Sequence, residues 1–273
     1  MILSPRIDVV FKMLFTPKSN EDILTDFLAA VLDIDPEDIN DVKVLNGEIL
    51  PDDVSKKFSR LDILVSIKGK KINIEMQVRM THDYADRVAF YAAKVFVQDL
   101  ESGDSYATLE QAISINILDY TMFDVEECHS TFMLKELKRD EVLTDKLRID
   151  FLELPKTESD NSIQVKRLKK WMRFFNIKSE EDADMIAQAN DTMINKAVYV
   201  LREMSADERT REIARQRERR LHDEASYMET ARLEGRAEGI VEGRAEERKA
   251  LLAELRALGV VEEKLKQALE NVK

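Results

Sequence analysis

Two alternating runs, each with one acid set among apolar residues, constrain this chain more than anything else in it. Asp62 lies in Arg60-Leu61-Asp62-Ile63-Leu64-Val65, and Glu75 in Ile72-Asn73-Ile74-Glu75-Met76-Gln77-Val78. A carboxylate inside a strand is costly unless it is paired, hydrogen-bonded or bound to a cation. Lys68-Gly69-Lys70-Lys71 separates the runs, and a Gly69-Lys70 loop with glycine in its first central position predicts a hairpin. Pairing Lys68 with Lys71 puts Asp62 opposite Gln77 and diagonal to Glu75, on one face, because side chains repeat with period two. The other face reads Leu61, Ile63, Val65, Ile67 against Ile72, Ile74, Met76, Val78, and is wholly apolar. Two carboxylates at that separation suit Mg2+, with Mn2+ as the alternative, since such ions take one or two carboxylates, waters and substrate phosphate.

Around the hairpin, apolar periodicity predicts helices over 8–15 and 20–32, a strand-like portion within 39–50 and a helix over 83–100. The last has Ala85, Val88, Ala89, Ala92, Val95 and Phe96 at helical spacing. Segments 112–118, 130–137 and 147–154 read as strands. Helices return over 162–204, and 205–273 is a long charged helical extension. This order predicts an α/β layer architecture around a central sheet. We divide it into a core over 1–155, a helical subdomain over 156–204 and a tail over 205–273.

Charge is unevenly spread. Residues 1–155 hold 18 Lys/Arg against 30 Asp/Glu, which accounts for the whole net charge of −12, whereas 156–204 hold 9 against 8 and 205–273 hold 15 against 16. An acidic core repels phosphate unless metal and local cations offset it. Basic density lies later, at Lys166-Arg167-Leu168-Lys169-Lys170 with Arg173, and in the six arginines from Arg209 to Arg220. Trp171 could stack on a base or pack an amphipathic helix. The longest wholly apolar run is about six residues, short of a membrane span, and charges at Arg6, Asp8 and Lys12 argue against a secretory signal. A lone Cys128 excludes an internal disulfide framework and fits a reducing cytoplasm. Cys128-His129 has no further ligand at zinc spacing.

The hairpin resembles the acid core of PD-(D/E)XK nucleases, and the flanking sequence resembles their recombination-promoting nuclease and transposase branch. The resemblance rests on Ser4-Pro5-Arg6-Ile7-Asp8-Val9-Val10-Phe11-Lys12-Met13-Leu14-Phe15, on Asp62, Glu75 and Gln77, on 87–106 with Tyr91 and Gly103, and on the Glu-Gly-Arg repeats of the tail. It implies a restriction-endonuclease-like central mixed sheet flanked by helices, with a C-terminal helical extension. It further implies a Mg2+-dependent DNA endonuclease of low sequence specificity, active in recombination or mobile-element biology. Asp62 and Glu75 would hold the metal with the Met76 carbonyl, and Asp8 is a further candidate ligand or only a helix cap. The superfamily pattern ends in Lys where this chain has Gln77, which carries no charge at neutral pH. Gln77 would position water or phosphate, and Lys12 or Arg60 would neutralise the phosphate, with Lys94 a weaker alternative. A literal Pro51-Asp52-Asp53 reads as loop.

In the tail, Glu234-Gly235, Glu238-Gly239 and Glu242-Gly243 repeat every four residues. Each interior glycine costs a helix about 1 kcal/mol relative to alanine. The segment is either a weak helix or a surface for close approach by another helix. Glu and Arg fall on different stripes, which suggests a homo-oligomer formed through the tail. The reading from another class is a catalytically weak, nuclease-derived oligomeric scaffold.

Overall fold

The computed structural model describes residues 2–45, 62–160, 165–189 and 191–259. The chain divides into two compact units, Met1–Arg217 and Glu218–Lys273. Arg60 and Pro51-Asp52-Asp53 lie outside the described residues.

The first unit opens with α1 (Asp8–Phe15) and α2 (Glu21–Leu32), then β1 (Lys43–Val44), β2 (Ile63–Ile67), β3 (Lys70–Gln77), α3 (Tyr84–Val97), β4 (Gln111–Leu118), β5 (His129–Lys135) and β6 (Val142–Glu153). It continues through α4 (Lys166–Phe175), α5 (Glu180–Ala187) and α6 (Thr192–Ala206) into α7 (Glu208–Ala257). The six described strands form one mixed sheet in the order β1-β2-β3-β4-β6-β5. β1, β2 and β3 pair antiparallel, β3, β4 and β6 run parallel, and β5 joins β6 antiparallel. The expected α/β mixed sheet flanked by helices is the observed architecture.

The hairpin pairs differently from the sequence expectation. Ile63 faces Ile74 and Ile67 faces Lys70, so the two-residue loop is Lys68-Gly69 rather than Gly69-Lys70. Gly69 has φ +71, so glycine occupies the second central position, the place that demands positive φ in a type II turn. The register slips by two residues relative to the expected one. An even slip keeps every side chain on its face, so Ile63, Val65, Ile67, Ile72, Ile74 and Met76 are buried together as expected.

That apolar face packs against α1, α2, α4 and α6 in one core. Its centre is aromatic: Phe11, Phe15, Phe27, Trp171, Phe174 and Phe175 meet at centroid distances between 5.0 and 6.3 Å. Trp171 is fully buried and its Nε1 donates to Asp26 Oδ2 at 2.8 Å, which makes it a core residue and not a stacking platform. α3 covers the opposite face through Tyr84, Val88, Ala92 and Val95, while Ala85 and Ala89 are exposed. The helical stripe is thus rotated from the one expected, because the large Tyr84 ring joins the sheet and the two small alanines do not.

At the β5–β6 edge, Asp150 is fully buried and meets Arg148 Nε at 2.7 Å, His129 Nε2 at 2.8 Å and Thr131 Oγ1 at 2.7 Å. Burial opposes its charge, yet these hydrogen bonds outweigh it and hold the carboxyl below its ordinary range. His129 is thereby occupied in joining two strands. The second unit is helical through Ala257, and its described residues are almost wholly exposed. No described helix is long and apolar enough to cross a membrane.

Candidate functional site

Continuing the β2–β3 register by one residue brings Asp62 opposite Glu75, directly across and not diagonal. Glu75 is buried on β3, on the face that α3 covers. The Met76 N–H donates to Asp62 Oδ2 at 2.9 Å, so the carboxylate ties the end of β2 to β3. Asn73 shares the Glu75 face two residues away, and its Nδ2 donates to Glu75 Oε1 at 3.0 Å.

Among the described residues, Lys12 and Arg87 are the cations that act on the two acids. Lys12, from the middle of α1, places Nζ 3.5 Å from Asp62 Oδ1. Arg87, in the first turns of α3, donates through Nη2 to Gln77 Oε1 at 3.0 Å and lowers the Glu75 carboxyl by its charge. These cations do not compensate for burial. Burial pushes the Asp62 carboxyl up to about 6, against the Lys12 charge and the Met76 hydrogen bond, while Glu75 and Asp8 add like-charge repulsion. Burial also raises Glu75, against the Asn73 hydrogen bond and the charges of Arg87 and Lys12. Burial thus holds both carboxyls above their ordinary range, and the neighbouring cations do not fully offset it.

Gln77 has both amide ends engaged, since its Nε2 donates to the Arg79 carbonyl at 2.6 Å. Asp8 sits at the first position of α1, where Oδ1 accepts from the Val9 N–H at 2.8 Å and Oδ2 meets Arg217 Nη2 and Nε, each at 2.7 Å. It acts on Asp62 only through space. Lys94 lies half-buried on α3, as does Tyr91.

A polar floor extends the site across the sheet. Asn73 pairs with Ser114 and Glu75 with Asn116 in the parallel β3–β4 register. The Tyr84 hydroxyl donates to Asn116 Oδ1 at 3.2 Å, and Asn116 Nδ2 reaches Ser114 Oγ at 3.2 Å and the Asp150 carbonyl at 3.2 Å. Asn73 Oδ1 is buried and has no partner among the described residues. The sequence signal for this floor is the alternation Ser114-Ile115-Asn116-Ile117, polar residues at period two in an isoleucine strand. Arg87 carried no comparable signal, because its role depends on how α3 packs.

Among the described residues no group of three or more His, Cys, Asp and Glu is arranged to hold a metal. The described donors that face each other here are the carboxylates of Asp62 and Glu75, both hard oxygens. Such a set fits a small divalent ion that keeps much of its water shell, and excludes a thiolate or imidazole metal.

A family model described as PD-(D/E)XK nuclease family transposase matches residues 5–231. No curated protein and no solved structure matches the chain.

Proposed function

The chain belongs to the PD-(D/E)XK nuclease family transposases, and from that premise we propose that it is a Mg2+-dependent DNA endonuclease of low sequence specificity, with Mn2+ as a substitute. Its setting would be DNA recombination or mobile-element biology. The observation that carries this reading is the opposed pair Asp62 and Glu75, both raised by burial and neither fully neutralised.

Asp62, Glu75 and the Met76 carbonyl would hold the ion, with Asp8 as a further ligand once released from Arg217. A divalent cation bound there would acidify water and stabilise charge on a phosphate. Lys12 favours the ionised form of Asp62, without offsetting burial, and presents positive charge beside it. Arg60 is a second candidate for neutralising phosphate. Gln77 aligns polar groups at the end of β3 for water or phosphate. The acidic core disfavours tight, sequence-specific DNA binding, which agrees with recognition mainly through the scissile phosphate.

We assign catalysis to 1–155, packing support to 156–204 and self-association to 205–273. The single, buried Cys128 accords with action in a reducing cytoplasm. A second reading, a catalytically weak oligomeric scaffold, is favoured by the absent lysine at Gln77. Plasmid nicking with and without Mg2+ separates them. The parent should nick only with metal, and Asp62→Ala and Glu75→Ala should each abolish nicking while leaving the circular dichroism spectrum unchanged. Equal nicking by parent and both variants would refute the nuclease reading.

A further inference from the structure

Gln77 occupies the place where the superfamily pattern has lysine, and its surroundings require an acceptor there. Oε1 accepts from Arg87 Nη2 while Nε2 donates to the Arg79 carbonyl. Lysine presents three donors and no acceptor. At position 77 it would forfeit the Arg87 bond and set a second cation against the first. A glutamine satisfies a guanidinium and a main-chain oxygen at once.

Arg87 has a second constraint. Its guanidinium lies over the Tyr84 ring, 5.0 Å from the centroid, a cation–π contact. Tyr84 is fully buried and held by its hydroxyl bond to Asn116. A permanently charged, half-buried side chain is therefore oriented from two sides, at the carboxyl end of β3 and close enough to bias the Glu75 carboxyl. In α/β sheets the carboxyl ends of parallel strands are where ligands bind.

We infer that Arg87 is the phosphate-binding cation of this site and that Gln77 is a positioning residue that holds it, so that the charge of the superfamily lysine has moved from strand to helix. This rests on the nuclease reading above. A guanidinium has five N–H donors in a planar fork, so it can bond Gln77 and a phosphate oxygen together. Lysine at 87 has neither the fork nor the flat surface for Tyr84.

Two measurements test it. In nicking assays Arg87→Gln should lower kcat by about 100-fold, the scale for losing one donor to developing charge, and Arg87→Lys should recover little. Gln77→Lys alone should be impaired, since it juxtaposes two cations. The double variant Gln77→Lys/Arg87→Gln returns one cation and one amide to the corner and should exceed Arg87→Gln alone by at least about tenfold. A second measurement avoids turnover. In an Asp62→Asn background, short-duplex binding is followed by fluorescence anisotropy over a range of salt, and adding Arg87→Gln should reduce the slope of log K against log salt by about one. An unchanged slope, or an Arg87→Gln enzyme that nicks within about threefold of the parent, overturns the assignment. A parent that does not nick in Mg2+ or Mn2+, with the slope still reduced, removes the nuclease reading and leaves the phosphate contact standing.

Discussion

Asp62→Asn should stabilise the metal-free protein near neutral pH and abolish its response to Mg2+. Burial raises the Asp62 carboxyl from 3.8 to about 6 even with Lys12 and the Met76 N–H opposing it. A shift of that size corresponds to about 3 kcal/mol between protonation states. The side chain is only 16% exposed, so solvent screens little of it. Because the folded-state pKa is the higher one, the group's contribution is full below pH 3.8 and is lost as pH rises through about 6. Asparagine resembles the protonated acid in shape and keeps an acceptor for the Met76 N–H. In EDTA the variant and parent should therefore melt together near pH 4, diverge through pH 5 and 6, and differ most at pH 8. At about 2–4 °C per kcal/mol for a unit of this size, the upper limit is about 6–12 °C, with the Lys12 attraction already contained in the shift. Other carboxylates, such as Asp150 with its lowered pKa, bend both curves equally and cancel in the difference. Mg2+ should then raise the parent's melting temperature and leave the variant's alone. A variant that melts below the parent at pH 8 in EDTA, or that keeps the Mg2+ shift, would refute the claim that this carboxylate is held for a cation.

Trp171→Ala should cost about 3–5 kcal/mol in urea unfolding and leave the DNA affinity of the remaining folded protein unchanged, since the ring is fully buried; affinity loss without destabilisation would restore a stacking role. Changing Gly235, Gly239 and Gly243 together to Ala should raise helicity measured by circular dichroism. An added Cβ at each meets nothing within 4 Å in the chain, so any fall in oligomer mass by sedimentation reports contact between copies. A parent that sediments as a monomer at low salt rules out tail-driven assembly.

Local periodicity located most of the elements that bury one face, although it misplaced the buried stripe of α3. The helix expected over 8–15 is α1, the strand expected over 112–118 lies within β4, and the one expected over 147–154 is the second half of β6, which ends one residue earlier at Glu153. The hairpin shows the limit of that guidance. Alternation fixes which residues face the core, but it is blind to a slip of two, and the register follows from the turn glycine Gly69 at positive φ. The slip has a chemical consequence: Asp62 moves from opposite Gln77 to opposite Glu75, which brings like charges together and frees Gln77 for Arg87. The helix expected in the tail is α7 as far as Ala257, and, being highly charged and weakly amphipathic, it has no broad apolar face to bury.

Of the two candidate acids, Asp62 immediately precedes β2 and Glu75 lies on β3, so strand pairing alone opposes them and their juxtaposition was legible in the sequence. The cations arrive by another route. Lys12 comes from α1, fifty positions before Asp62, and Arg217 reaches Asp8 across 209 residues. Arg87 is close in sequence, yet whether it meets Gln77 depends on the rotation of α3, and that rotation follows from Tyr84 taking a buried place that the small alanines could not fill. Packing volume therefore decides where the positive charge falls. Tyr84→Ala should accordingly free α3 to turn toward the Ala85 and Ala89 stripe and loosen Arg87, whereas Tyr84→Phe keeps the ring and gives up only the bond to Asn116. If the ring sets the helix phase, the Phe variant should match the parent in the salt dependence of duplex binding and the Ala variant should match Arg87→Gln. The reverse order would mean that the buried hydroxyl network, not the volume of the ring, positions the cation.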